Sequence, residues 1–210
     1  MFNRRSVARA IAVLAIVSLW FAPVKAGELE EGAEGFIRSL AEQAIQSLTD
    51  QSVSHSERVT RFRVLFNDAF AVRSIGKFVL GRYWRKASDD EKTEYLALFE
   101  DLMVASYVDR FARYAGETLE IRKSRAEKTN TATVFTEIKR PAGAKPIRVN
   151  WLTGTDGKVY KILDVIVEGT SMSTTLRSDF GSIVRQKGGS VAGLIEELKK
   201  KTASLKENKT

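Results

Sequence analysis

The chain has 210 residues, a formal net charge of +8 at pH 7 and no cysteine. The absence of cysteine excludes disulfides, thiol chemistry and cysteine-ligated metal sites. The single histidine, His55, leaves no second imidazole for a histidine-based metal site or a shared proton relay.

The first 26 residues have the pattern of a secretory signal peptide. Arg4, Arg5 and Arg9 precede an apolar run over residues 11–21, and small residues follow up to Ala26. The run has about half of the ~20 residues that a membrane-spanning helix needs. We therefore predict cleavage after Ala26 and location in the periplasm, with a retained membrane anchor as the alternative. Cleavage leaves a net charge of +4, so the sequence does not indicate nucleic-acid binding.

The remaining 184 residues suit one domain, and their first third has helical periodicity. Apolar residues three and four apart predict a helix that includes residues 37–48. Ser54 and Glu57 have the spacing of a capping box, which predicts the start of a second helix. A short third helix is predicted from Val72 to Leu80.

A long fourth helix is predicted to begin at a second capping box, Ser88 and Glu91, and to end at Gly116. A face this broad in apolar residues must pack against a large surface. Its apolar stripe contains Leu96, Phe99, Met103, Tyr107, Phe111 and Tyr114.

After Gly116 the apolar spacing changes to alternation, which predicts four strands joined by short turns. Short links imply an antiparallel meander, so the fold class is α+β. The fourth strand, over residues 159–167, is apolar at both alternating sets of positions and is expected to be covered on both faces. The long helix is expected to cover one face; terminal helices or a bound apolar ligand cover the other. The other strands are marked by Leu119 and Ile121, by Ala132, Val134 and Ile138, and by Ile147, Val149 and Trp151.

Two helices are predicted to follow, from Thr174 to Gln186 and from Val191 to Leu198, before a charged flexible tail over residues 199–210. The segment from Thr170 to Thr175 is expected to form a turn at the end of the sheet, which lets Phe180 and Ile183 cover the sheet.

The polar residues give little support for catalysis. Ser171 lies in "EGTSMS", which lacks the G-x-S-x-G elbow of a hydrolase, and is interpreted as a residue that bonds to nearby backbone. Gly188 and Gly189 do not match a phosphate-binding loop. We predict no catalytic residue, no metal site and no cofactor; an esterase is the weakest of the alternatives.

Two separated segments resemble the MlaC, or toluene-tolerance, family of periplasmic lipid carriers. Residues 80–117 share the L-G-x-x-W motif, the long aromatic-rich helix and the Y-x-G-E close. Residues 164–198 share D-V-x-V-E-G-x-S-M, then T-T, an aromatic at Phe180, and K-G before a final L-I-x-x-L helix. The "GETLEI", "RPAGAKP" and "KGGS" details are most similar to the HpnM branch, which is associated with hopanoid-making bacteria.

The resemblance implies a helix-plus-sheet fold, somewhat like nuclear-transport-factor domains, with an apolar pocket for acyl chains. It implies a carrier of phospholipid, or alternatively of hopanoid, without cofactor or catalytic residue. The implied partners are an inner-membrane ABC transporter and an outer-membrane lipoprotein complex, and the carrier is expected to be a monomer. A periplasmic interaction module without ligand is the alternative from another class.

We predict that six residues line the lipid pocket between the long helix and the last two strands. The alternative is that the same side chains form a filled core, which spacing alone favours. The six residues are Phe99, Met103, Tyr107, Trp151, Val165 and Val167.

Overall fold

The computed structural model describes residues 26–207 and confirms the α+β class. Residues 1–25, which include nearly all of the predicted signal peptide, lie outside the described part of the chain. Six α-helices and a five-stranded antiparallel sheet occupy residues 26–207. The helices are α1 (Ala26–Leu48), α2 (His55–Ala69), α3 (Val72–Leu80), α4 (Asp89–Ala112), α5 (Met172–Gln186) and α6 (Val191–Glu207). The strands are β1 (Thr118–Lys128), β2 (Thr131–Lys139), β3 (Ile147–Thr155), β4 (Tyr160–Val167) and β5 (Thr170–Ser171).

The sheet is the predicted meander, in the order β1-β2-β3-β4-β5. The fifth strand has two residues and follows a tight turn at Glu168 and Gly169, both with positive φ. The carboxylate of Glu168 accepts a hydrogen bond from the backbone N–H of Arg148 (2.6 Å), which holds the pKa of Glu168 below its ordinary value. A strand this short carries no alternation, so periodicity did not predict it.

Helix α1 packs against one face of the sheet, which we call the inner face. Two carboxylates fix the helix to β1: Glu30 accepts from the N–H of Ala126 (2.7 Å), and Glu34 accepts from Ser124 Oγ (2.6 Å). Between them, α1 and the sheet bury a group of apolar side chains that we call the sheet cluster. Its fully buried members are Leu29, Ala33, Ile37, Ala132, Val134 and Ile162.

The remaining helices form a second core around α4, the helical cluster. Helix α4 packs mainly against α6, α2 and α3. The ring of Tyr95 is fully buried there, its hydroxyl donates to the carbonyl of Gly76 (2.9 Å), and burial raises its pKa. Phe180 meets Tyr95 and Phe99 edge to face.

Two predicted contacts with the sheet are wrong. Phe180 and Ile183 do not cover the sheet but belong to the helical cluster, because α5 lies against α3 and directs these side chains to other helices. The expected cover of β4 by the long helix is supplied instead by α1, α2, α3 and α5. No residue of β4 is exposed, so both of its faces are at least partly covered, as expected.

Helix α6 continues to Glu207, beyond the predicted domain end at Leu198. Thr202 is buried and Leu205 packs against the helical cluster. Two lysines on this extension form ion pairs with α4, Lys199 with Glu94 and Lys206 with Asp101. The lysine-rich composition suggested a solvated tail, but the apolar residues among the lysines keep the helix in contact with the core.

Candidate functional site

The inner face of the sheet is only partly covered by α1. Ala132, Val134 and Ile162 have no exposed surface, whereas their neighbours on the same face keep a measurable exposed fraction. Apolar side chains that stay partly exposed to water on the core face of a sheet are energetically unfavourable. We call this set the open part of the inner face, and it contains Leu119, Ile121, Trp151, Val165 and Val167.

Strand register places Trp151 at the centre of this surface. Trp151 is the direct cross-strand neighbour of Val134 on β2 and of Val165 on β4. Val167 pairs with Val149, two residues along, and so lies on the same face. Three side chains from adjacent strands therefore make a continuous apolar surface.

The polar atom of Trp151 is satisfied inside the sheet. Its Nε1 donates to Thr136 Oγ1 (3.0 Å), and Thr136 Oγ1 donates in turn to the carbonyl of Val149 (2.6 Å). A buried indole N–H needs such a partner, and the pair of bonds fixes the orientation of the ring. The indole thus presents a rigid hydrocarbon surface without a free donor.

A row of four phenylalanines connects the two clusters. Phe62 and Phe66 on α2 and Phe70, the residue directly after it, follow one another at four-residue spacing. The ring centroids of Phe62 and Phe66 are 6.2 Å apart, and those of Phe66 and Phe70 are 4.7 Å apart. The ring of Phe111 on α4 lies 5.6 Å from that of Phe62. Phe70 packs against both clusters, so the row joins the helical cluster to the sheet cluster.

The backbone fixes the sheet end of this row. Phe70 forms a parallel bridge with Ile162, and the N–H of Ala71 donates to the carbonyl of Ile162 (2.9 Å). The end of α2 is therefore attached to β4, next to the open part of the inner face. The four-residue spacing of these three phenylalanines is visible in the sequence, but neither the spacing nor the resemblance singled them out as site residues.

The six predicted lining residues fall into two groups. Phe99 and Met103 are 1% and 8% exposed and belong to the helical cluster, against which Tyr107 is partly buried. The other three, Trp151, Val165 and Val167, lie on the inner face of the sheet. The structure thus brings the three sheet residues together and places Phe99 and Met103 in a different core.

A second apolar surface lies elsewhere. A hollow of about 350 Å³ between α5 and α6 is lined by Leu176, Phe180, Ile183 and Leu198, with charged side chains around it. It is the alternative position for an apolar ligand.

The polar groups near β5 form a cap. Ser171 Oγ donates to the carboxylate of Asp164 (2.6 Å) and accepts from the N–H of Thr174 (3.1 Å). The same carboxylate accepts from the N–H of Ser173 (3.0 Å). Ser171 is the N-cap of α5, which confirms its interpretation as a residue that bonds to nearby backbone.

Residues 26–207 offer neither a metal site nor a membrane span. Within this range no group of three or more His, Asp or Glu side chains is placed to hold a metal ion. Over the same residues, none of the helices combines the length and apolar character needed to cross a membrane.

Known proteins match the chain in sequence and in fold. The matching family is described as MlaC protein, and the match spans residues 38–200. The intermembrane phospholipid transport system binding protein MlaC of Haemophilus influenzae is 22% identical over 151 residues, which cover 70% of this chain and 69% of that protein. The phospholipid-binding protein of Ralstonia solanacearum, solved in complex with a phospholipid, has a TM-score of 0.74 at 16% identity, over 82% of this chain and 98% of that one. The structural likeness shows a common fold.

Proposed function

The chain belongs to the MlaC family, and we propose from this that it binds a phospholipid by its acyl chains and carries it between two membranes. The observation that carries the proposal is the open part of the inner face, a rigid apolar surface left partly uncovered by the protein's own helices. The names of the matched proteins from Haemophilus influenzae and Ralstonia solanacearum support a phospholipid as the ligand.

The energetic need for a carrier is large. Two sixteen-carbon chains hold about 30 methylenes, and exposure of each to water costs about 0.8 kcal/mol, so unaided transfer costs on the order of 20 kcal/mol. A protein that covers the chains removes most of this cost. The head group stays in water, because burial of an unpaired phosphate charge is unfavourable.

We assign the lining as follows. Trp151, Val165 and Val167 form the sheet wall, and the partly buried Phe62, Phe70 and Phe111 form the helical wall beside it. Phe66, which is 8% exposed, packs behind them in the helical cluster. Tyr107 lies one helical turn before Phe111 on the same stripe and joins this wall. Phe99 and Met103 are assigned to the packed helical cluster, since little of either side chain is accessible.

The cellular setting follows from the leader and the matched transport protein. We propose that residues 1–26 are removed on export, that the carrier is a periplasmic monomer, and that it exchanges lipid with an inner-membrane ABC transporter and an outer-membrane complex. N-terminal sequencing of periplasmic protein tests the first step, with Gly27 as the expected first residue. Recovery of the intact Met1 chain in washed membranes contradicts it.

Native mass spectrometry of protein purified from a lipid-containing host tests the binding function. We expect a mass increment equal to one or more lipids, and extraction to yield a diacyl phospholipid. An unliganded mass at every protein concentration, with no uptake from added phospholipid, contradicts the proposal. A polycyclic lipid in the extract would instead support the alternative ligand, a hopanoid, which the resemblance to the HpnM branch implies.

A further inference from the structure

A second hollow, unrelated to the inner face, lies where the end of α3, the 3-10 segment Gly81–Arg85 and α5 meet. Its volume is about 510 Å³. We call it the basic hollow, and the lining residues that matter here are Lys77, Phe78, Arg82, Trp84, Arg85 and Arg177.

The basic hollow carries unbalanced positive charge. Between Asp68 and Asp89 the chain contains five cations and no carboxylate, and Arg177 adds a sixth cation from α5. In the part of the chain that the structure describes, none of Lys77, Arg82, Arg85 and Arg177 lies within 4.0 Å of a carboxylate. Most arginines of α2 and of the sheet form an ion pair with a carboxylate, so the basic hollow differs from those surfaces in its unpaired charge.

The position of Arg177 is fixed by its neighbours. Its guanidinium lies 4.8 Å from the ring centroid of Phe78, and its Nη1 donates to the carbonyl of Phe78 (3.0 Å). The Arg177 side chain lies directly on Gly81, where an added Cβ would come within 3.1 Å of Cζ. Gly81 also has a φ of +59°, which favours glycine. The local backbone thus holds a cation and an aromatic ring side by side at the surface.

The aromatic rings of the hollow stay accessible. Phe78 is 45% exposed, and Trp84 is half-buried with Arg73 Cζ 6.0 Å and Lys92 Nζ 5.8 Å from its ring. Exposed aromatic rings among cations are the composition of surfaces that insert at the head-group level of membranes, where the rings contact the apolar boundary and the cations contact phosphates.

We propose that the basic hollow docks the protein on the surface of an anionic phospholipid membrane. The cations contact lipid phosphates, and Phe78 and Trp84 lie at the head-group level. An acidic protein surface would satisfy the same charge, but the exposed ring of Phe78 directly beside the cations favours the head-group level of a membrane, where apolar and phosphate contacts are adjacent. The carrier function proposed above requires contact with membranes for lipid exchange. Docking itself does not require a bound lipid.

Co-sedimentation with vesicles tests this inference. The purified protein is mixed with vesicles of phosphatidylcholine alone or of phosphatidylcholine with phosphatidylglycerol, at about 0.05 M and about 0.5 M salt. We expect binding to the phosphatidylglycerol vesicles at low salt, and strong weakening at high salt, where the charges are screened. The double variant K77Q/R85Q is expected to bind about 30-fold more weakly. Each cation near an anionic surface contributes about 1 kcal/mol, and the loss of two such contributions corresponds to that factor.

Two further variants make the result specific. K128Q/K158Q removes the same charge from exposed positions at the turns of the sheet and is expected to bind as the unmodified protein does. Phe78→Ser is expected to weaken binding while leaving the salt dependence unchanged, because it removes no charge. Equal binding to both vesicle types, an equal loss in both double variants, or binding to acidic proteins without binding to vesicles would overturn the inference.

Native mass spectrometry of the same K77Q/R85Q preparation measures the amount of bound lipid per protein chain. Retained lipid with lost vesicle binding separates docking from cargo binding. A protein that docks but never carries lipid would contradict the proposed function alone, and one that carries lipid but never docks would contradict this inference alone.

Discussion

Val165 and Val159 belong to the same hairpin but lie in opposite environments. Val165 is partly buried on the inner face beside Trp151, whereas Val159 is 52% exposed just before β4 begins. The same substitution at the two positions therefore compares the proposed lipid wall with ordinary surface.

Val165→Trp is expected to lower the amount of bound lipid per folded chain, because the indole occupies space that an acyl chain would fill. The melting temperature of delipidated protein should change little, since a tryptophan forced into a filled core would instead cost about 1–3 kcal/mol. Val159→Trp is the control and should retain lipid. A sharp loss of stability in Val165→Trp with unchanged lipid per chain would assign Val165 to the core.

Met103 is expected to behave as a core residue. It is 8% exposed within the helical cluster, so Met103→Ala should lower the free energy of unfolding by about 2–5 kcal/mol, with the cavity adding to the lost burial. Urea denaturation of delipidated protein measures the change. Lipid per folded chain should stay constant; a reduced lipid content with near-normal stability would instead return Met103 to the lining.

Ser171→Ala distinguishes a helix cap from a nucleophile. Loss of the bond from the Thr174 N–H should lower stability by about 0.5–2 kcal/mol. Ser171→Asp restores an N-cap acceptor, although Asp164 lies close by and repels the new charge. Chemical denaturation together with an ester-hydrolysis assay is the measurement, and we expect no turnover in either protein. Ester hydrolysis by the unmodified protein that is lost in Ser171→Ala would contradict the prediction that Ser171 has no catalytic role.

Among the elements, α6 differs most from its prediction, and its last turns can be removed. A chain that ends at Leu198 lacks Thr202, Leu205 and the ion pairs of Lys199 and Lys206. We expect it to be less stable by about 2 kcal/mol, close to the contribution of one buried leucine. A chain that ends at Glu207 is the control and should melt as the full protein does. Equal melting temperatures for the two truncated chains would show that residues 199–207 do not contribute to the core.

The elements themselves could be predicted because their signals are local. Ser54 accepts from the N–H of Glu57, and Ser88 and Glu91 form both bonds of the predicted capping box. Alternation located the four long strands, and short turns determined their order. Each of these signals depends on residues within a few positions of one another.

The packing partners of the elements could not be predicted in the same way. The stripe of α4 is broad enough to pack on a sheet or on helices, and nothing within it indicates which. Its main partner, α6, lies at the far end of the chain, and its other partners, α2 and α3, precede it. Phe99 and Met103 were therefore grouped with Trp151, although the fold places them in the helical cluster. The sheet residues were grouped correctly with one another because strand register follows from alternation and turn length.

At the scale of the whole molecule, two cores meet along the row of phenylalanines. The helical cluster is the larger core, with fifteen buried residues, whereas the sheet cluster has six and is covered by α1 over only part of the inner face. A carrier needs both properties: a rigid body that stays folded without ligand, and an apolar surface whose cover is supplied by the ligand. In the function proposed above, the helical cluster supplies the first property and the open part of the inner face supplies the second.

Photo-crosslinking tests the position of the acyl chains most directly. A phospholipid with a diazirine near the end of one acyl chain is loaded, irradiated, and located by peptide mass spectrometry. We expect adducts on the β3 and β4 segments that carry Trp151, Val165 and Val167, and on α2 near Phe62 to Phe70. Adducts confined to the hollow between α5 and α6, on the segments of Leu176, Ile183 and Leu198, would contradict the proposal that the inner face of the sheet holds the lipid.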